Sequence, residues 1–562
     1  MRIIVVAALF VLLAYSTGQA AVWQYSVPAP TIEGRRAFLW VPPDCPRVRG
    51  LIVAVHNMLE KPLFERPAFR TAAEENGLGI VMIFSGHDRA PDDDRNPGHP
   101  RRSALDIFLN PDFPKGSEDP RGAGEDLQKV LDALAEESGY TEIRNVPLMP
   151  VGHSSAGSFV WHLYQWNPSR FFAIMPFKTG AKYDGPQGIP IFDVNSEWFE
   201  YGSGTMHNCS LTPGDLAQAL HIRANGNDSL AGYFVDIGSG HCDVSDDAIP
   251  IMALFLKKVV AARIPADAPL DGHVPLKPVK TGAGWLLDPA TFGKPGGKPV
   301  ATSDWKGDPR NAFWYLDKDL ASAVQNHIAA QLAKKPQYIG FVKEGHRSTD
   351  ARMFSFSPKF LDDAGTFRLE AGYVDHIDHA EYDNRIHNVY YPGDAKLGHS
   401  SSTVRFRVNS GALTQVGPDT FRVCPHAGPL EPQGNPWEPT IVAYNPGDDT
   451  FRPTEIPAHV HVNIINREGQ AQTLDFLKIS DQIASGLRPL KLQAKASSGL
   501  PVQYFVVSGP AEITGDTLTF SKIPARSKYP VRVIVAAFQW GRQDNPKVQS
   551  AGPVMQEFFI RR

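Results

Sequence analysis

The residues able to do chemistry begin with Ser154, within Gly152-His153-Ser154-Ser155-Ala156-Gly157. A short apolar run, Val146 to Val151, precedes it and reads as a buried strand. Phe159, Leu163 and Trp166 follow at helical spacing. A serine on a tight turn between strand and helix is forced into a strained backbone conformation with its hydroxyl clear of both elements, where it can act as a nucleophile. Strand and helix pass close at such a turn, so small residues are needed two before and two after the serine. Gly152 and Ala156 meet that need; alanine stands where glycine is usual, and Gly157 follows at once.

A nucleophilic serine needs a base, and Gly238-Ser239-Gly240-His241-Cys242 offers one after the apolar run Gly232 to Ile237. His241 would take the proton from Ser154 and return it to the leaving group. A carboxylate is needed to hold that imidazole in its productive tautomer. The loop after Ile189 to Val194 carries Glu197 and Glu200, with Glu200 first by spacing and Glu197 second, and Trp198 and Phe199 beside them as candidate walls of a substrate cleft. Asp193 lies within the strand and is a poorer choice. Donors for the developing oxyanion are expected from the N–H of Ser155 and from the loop His56-Asn57-Met58-Leu59-Glu60, where Asn57 ranks ahead of Met58.

These loops need a frame. Gly50 to His56, Gly79 to Ser85, Phe171 to Pro176 and Gly188 to Val194 are further apolar runs. Arg66 to Asn76, Glu125 to Ser138, Pro213 to Ala224 and Ala248 to Val260 have helical character between or after them. Continuous apolar strands alternating with amphipathic helices imply a mainly parallel sheet with helices on both faces, whose ligands sit at the carboxyl ends of the strands. With Ser154, the His56 loop and Gly240-His241 placed at such ends, residues 30–264 resemble the α/β-hydrolase superfamily. The resemblance implies serine-nucleophile hydrolysis through an acyl-enzyme, with Ser154, His241 and a loop carboxylate as the triad.

At 562 residues the chain exceeds one core. Residues 1–20 read as a secretory signal: Arg2, an apolar run from Ile3 to Tyr15, then Gly18-Gln19-Ala20. That run is too short to span a membrane, which takes about 20 residues. The expected site is therefore secreted or periplasmic. In such an oxidising compartment a bridge between Cys209, beyond the acid loop, and Cys242, beside the base, is expected to tie the two loops together.

The catalytic domain is expected over 21–264, with a linker and short helix over 265–335. Beyond it the apolar period falls to two, which predicts a β-sandwich over 336–465 and a second over 466–562. In the latter, Ser497-Ser498-Gly499-Leu500-Pro501-Val502 and Ser508-Gly509-Pro510-Ala511 resemble bacterial immunoglobulin-like domains, which implies a spacer, docking or adhesion role.

The net charge of −4 gives no basic field for nucleic acid. Asp375-His376-Ile377-Asp378-His379, with Asp383 and His387, matches no defined zinc or calcium spacing, and neither metal nor cofactor is expected. The function these residues imply is cleavage of carboxylic esters, with the appended sandwiches suggesting a bulky substrate such as an esterified polysaccharide. A serine peptidase with the same triad, and a non-catalytic binding protein on the same scaffold, are the alternatives.

Overall fold

The computed structural model describes residues 22–29, 36–84, 121–179, 187–197, 218–226, 228–269, 271–343, 346–347, 354–361, 365–375, 397–424, 439–462 and 465–562. The expected signal segment lies outside these residues, and no helix among those described is long and apolar enough to cross a membrane.

Eight strands form the central sheet: β1 (Tyr25–Pro28), β2 (Arg36–Trp40), β3 (Gly50–Val55), β4 (Leu78–Ile83), β5 (Leu148–His153), β6 (Met175–Phe177), β7 (Pro190–Ser196) and β8 (Leu230–Asp236). Their order is β1-β2-β4-β3-β5-β6-β7-β8. From β4 to β8 every pairing is parallel, whereas β1 and β2 join antiparallel. This is a mainly parallel, α/β-hydrolase-like sheet. Between its strands run α1 (Glu60–Phe64), α2 (Pro67–Glu75), α3 (Arg121–Ser138), α4 (Gly157–Trp166) and α5 (Gln218–Ala224), and α6 (Ile249–Arg263) closes the unit. Every residue of β3, β4, β5, β7 and β8 is buried. Burial of residues pointing both ways means that both faces of the sheet are covered. Leu51, Ile52, Val53 and Val55 of β3 are each worth roughly 1.5–3 kcal/mol relative to exposure.

The stretch expected as a linker or wrapping segment with one short helix carries a small sheet of its own. β9 (Trp285–Leu287), β10 (Val300–Ala301) and β11 (Phe313–Tyr315) form a three-stranded antiparallel sheet, and α7 (Lys318–Leu332) follows, capped by the Asp317 carboxylate on the Leu320 N–H. The Tyr315 hydroxyl donates to the Tyr233 carbonyl at 2.6 Å, and Arg223 donates to the carbonyls of Ala312, Ser229 and Pro309. The segment therefore covers the outer edge at β8.

The rest is β. A four-stranded sheet runs in the order Phe354–Phe356, Thr454–Val460, Thr440–Asn445, Arg405–Ser410, with two three-stranded sheets beside it. Another four-stranded sheet joins Gln482–Ile483, Ala551–Arg561, Val531–Gln539 and Gln503–Ser508. Its buried Val506, Val533, Val535, Phe558 and Ile560 share an apolar cluster with Phe476, Leu492 and Leu518. This last unit does not hang free. It packs on the β1 edge, where Tyr25 Oη and Ser527 Oγ lie 2.5 Å apart and Ser26 Oγ and Ser508 Oγ 2.7 Å.

Candidate active site

β5 ends at His153, and the next residue, Ser154, has φ +52°. A non-glycine residue in this left-handed region carries a strain of about 1–3 kcal/mol, tolerated only where its surroundings enforce it. Here they do. A Cβ on Gly152 would stand 2.3 Å from the Ala156 carbonyl oxygen and 2.8 Å from Val160 Cγ2, and one on Gly157 would stand 2.2 Å from Thr179 Oγ1. Strand and helix thus touch at Gly152, and the start of α4 meets the segment after β6 at Gly157.

The loop after β8 brings His241 to this turn. Its Nε2 lies 2.9 Å from Ser154 Oγ, and both residues are partly exposed. His153, fully buried, places its Nε2 2.8 Å from the His241 carbonyl oxygen, so the residue before the serine also holds the backbone of His241. With no partner on Nδ1 among the described residues, His153 is best satisfied as a neutral ring donating from Nε2. Burial, with the neighbouring His241 second, drives its pKa well below the usual imidazole value.

Glu60 organises the other side. Its fully buried carboxylate accepts the N–H of Asn57 at 2.8 Å, of Met58 at 3.1 Å and of His153 at 2.7 Å. Burial pushes its pKa up; His56 and these backbone donors pull it back. The Asn57 amide donates to the His153 carbonyl at 3.0 Å, so the β3 loop is stitched to the turn. The N–H groups of Asn57 and Met58 are the two expected from this loop as oxyanion donors. They point at Glu60, because a carboxylate three and two residues ahead closes a tight local ring around them. Ser155 sits in the single turn 154–156 that leads into α4.

Glu197, the second candidate acid, is engaged too. It is fully buried at the end of β7, where its Oε2 accepts the Gly238 N–H at 2.7 Å and its Oε1 pairs with Arg452 at 2.6 Å. Its carboxylate is held by those two groups, one from the loop that carries His241 and one from a distant β unit. Burial raises its pKa while Arg452 and the Gly238 N–H lower it. Asp193 accepts the Ala219 N–H and the Asn195 amide, a structural role at the start of α5. Glu200, Trp198, Phe199 and Cys209 lie outside the described residues. Among the described residues no two cysteines are at bridging distance.

The sequence reading missed Lys178. It follows β6, has φ +49° and is completely buried. Its ammonium donates to Ser239 Oγ (2.9 Å), the Gly240 carbonyl (2.8 Å) and the Asp243 carbonyl (2.6 Å), with the Asp236 carboxylate at 3.4 Å. Asp243 closes the loop by accepting the Gly240 N–H at 2.7 Å. Its carboxyl pKa is pushed well up by burial and opposed by Lys178. A lone lysine ending an apolar strand carries no local mark of this role; Glu60 and His153 did lie in the quoted motifs, with no partner visible in sequence. Among the described residues no group of three or more His, Cys, Asp or Glu could hold a metal ion.

No family model and no curated protein matches the chain. Solved structures similar to it include a poly(3-hydroxybutyrate) depolymerase from Bordetella parapertussis (17% identity, 42% of this chain and 87% of that one, TM-score 0.28). Others are a proline iminopeptidase from Mycobacterium smegmatis (12%, 42% and 99%, 0.24) and a soluble variant of monoglyceride lipase from Saccharomyces cerevisiae (10%, 44% and 98%, 0.27).

Proposed function

We propose that the chain is an exported serine hydrolase that cleaves carboxylic esters through an acyl-enzyme on Ser154. The observation that carries the reading is the 2.9 Å contact between Ser154 Oγ and His241 Nε2, made by a serine at positive φ at the carboxyl edge of a mainly parallel sheet. In this reading His241 Nε2 accepts the Ser154 proton as Oγ bonds to the ester carbonyl carbon. The oxyanion forms against the Ser155 N–H, the carbonyl re-forms, and the alcohol departs with the proton from His241. Water, deprotonated by the same imidazole, then releases the acid and restores Ser154. Glu200 is the carboxylate proposed for His241 Nδ1. Glu60, His153 and Lys178 touch no reacting atom; they hold the loops that do.

The test is turnover of p-nitrophenyl esters of increasing acyl length, an acetylated polysaccharide and a matched anilide by wild type, Ser154→Ala, His241→Gln and the double variant. Each single change is expected to cost on the order of 10⁴–10⁶-fold in kcat, and the double variant no more than either, because the pair acts as a unit. An unchanged ester rate for Ser154→Ala overturns the proposal. Anilide turnover on a par with the esters would favour a peptidase.

A further inference from the structure

The loop that carries His241 is gripped by residues far beyond the hydrolase sheet. Arg452, in the turn before the strand Thr454–Val460, forms the buried pair with Glu197, which in turn accepts the Gly238 N–H. The Gly238 carbonyl accepts the Glu455 N–H at 2.7 Å. A Cβ on Gly238 would fall 2.2 Å from the Pro453 carbonyl oxygen, so the two backbones are in direct contact. Asn409, on the strand Arg405–Ser410, donates from its amide to the Cys242 carbonyl at 2.8 Å, and Arg407 donates to the Val244 carbonyl at 2.9 Å. The carbonyls of His241 and Cys242 are therefore held in succession, one by His153 from the hydrolase sheet and one by Asn409 from the β unit.

We infer that the β unit containing 405–410 and 454–460 is a working part of the active site, in which Arg452 and Asn409 are positioning residues for the base. Appended β domains are ordinarily free to serve as spacers or as grips on a substrate. Here the backbone on either side of the imidazole depends on this one, and the Glu197–Arg452 pair joins the end of β7, where the acid loop begins, to the base loop as well. The placement of His241 is thus shared between two parts of the chain about 170–210 residues apart in sequence. Misplacing a reacting group by about 1 Å can cost about 100-fold in rate.

The inference rests on the hydrolase reading, and the experiment separates the two. Full-length Asn409→Ala, Arg452→Lys and the paired neutral variant Glu197→Gln/Arg452→Met, which strands no buried charge, are titrated with an activated phosphonate that counts competent serines. Turnover is then expressed per titrated site. The paired variant is expected to lose about tenfold to 100-fold in kcat with KM within about twofold, Asn409→Ala less, and Arg452→Lys to keep most of the rate. A merely structural role would lower the number of titratable sites and leave the turnover of each unchanged. If the paired variant does not fold, Asn409→Ala, which keeps the ion pair, decides. Turnover per site within about twofold of wild type overturns the inference even where Ser154→Ala is inactive. Activity retained by Ser154→Ala would instead remove the hydrolase reading itself.

Discussion

The ammonium of Lys178 donates to the carbonyl oxygen of Gly240 at 2.8 Å, one residue before the candidate base. The same nitrogen lies near two buried carboxylates, Asp236 at 3.4 Å and Asp243 at 3.6 Å. A buried ion pair adds little over an apolar substitute, but breaking one by removing a single partner is costly. Lys178→Met is therefore expected to destabilise the protein by about 3–5 kcal/mol. It also leaves the carbonyls of Gly240 and Asp243 without this donor. Adding Asp243→Asn, which keeps an acceptor for the Gly240 N–H, should return part of that loss. Urea midpoints of the four proteins in the cycle measure the coupling. Additive losses would mean that the lysine and Asp243 are energetically independent.

The turn at Ser154 makes a second expectation about two glycines that look alike in sequence. At Gly152 the new methyl would meet backbone, the Ala156 carbonyl at 2.3 Å, which cannot move without opening the turn. At Gly157 it would meet a side chain, Thr179 Oγ1 at 2.2 Å, with Cγ2 at 2.9 Å. Overpacking of this kind typically costs about 1–3 kcal/mol. Gly157→Ala should be partly rescued by Thr179→Ala, which removes both atoms, while Gly152→Ala should have no comparable rescue and should also lose turnover. Thermal midpoints and ester rates of the three variants check this. Equal rescue in both cases would place the close approach elsewhere.

What could be read in the sequence was what is local. Gly152 to Gly157 shows its turn because strand, small residues and helix are contiguous. His241 could be found because it follows its own apolar run, in the order expected after Ser154. β1 and β2 were passed over: they are short and join antiparallel, and Trp23, Tyr25 and Val27 read as an apolar edge only once the last β unit is seen to cover them. Glu197 shows the limit most clearly. Its position in the chain fits a triad acid nearly as well as that of Glu200 does. The partner that claims it, Arg452, is 255 residues away in sequence and leaves no trace near it. The Asn57 and Met58 loop shows the opposite limit. Glu60 was in plain view, but whether a carboxylate turns back onto the Asn57 and Met58 N–H groups depends on burial, which periodicity does not encode. The strand Thr454–Val460 likewise carries Pro457 inside it, a residue that argues against a strand when only the sequence is in view.

His153 gives the protein a pH dependence whose sign follows from its surroundings. Its ring is fully buried, donates from Nε2 to the His241 carbonyl and has no partner on Nδ1 among the described residues. A second proton would sit on that buried Nδ1, with His241, Lys178 and His56 nearby, so the folded-state pKa falls well below the ordinary 6.5. In the unfolded chain the same histidine titrates near its ordinary value. Between the two pKa values the unfolded state binds a proton that the native state does not, and stability rises with pH across that window. The contribution is full above about 6.5 and is lost as pH drops toward the lowered value, with a slope of at most about 1.4 kcal/mol per pH unit for one proton. His162 and His327, also lowered by burial, act in the same direction. His153→Gln should therefore flatten the acid side of the stability curve without abolishing its slope, and should lower stability near neutral pH through loss of the bond to His241. Urea midpoints from about pH 8 to pH 5 provide the measurement. Parallel curves for wild type and variant would show that His153 carries its proton in the folded protein.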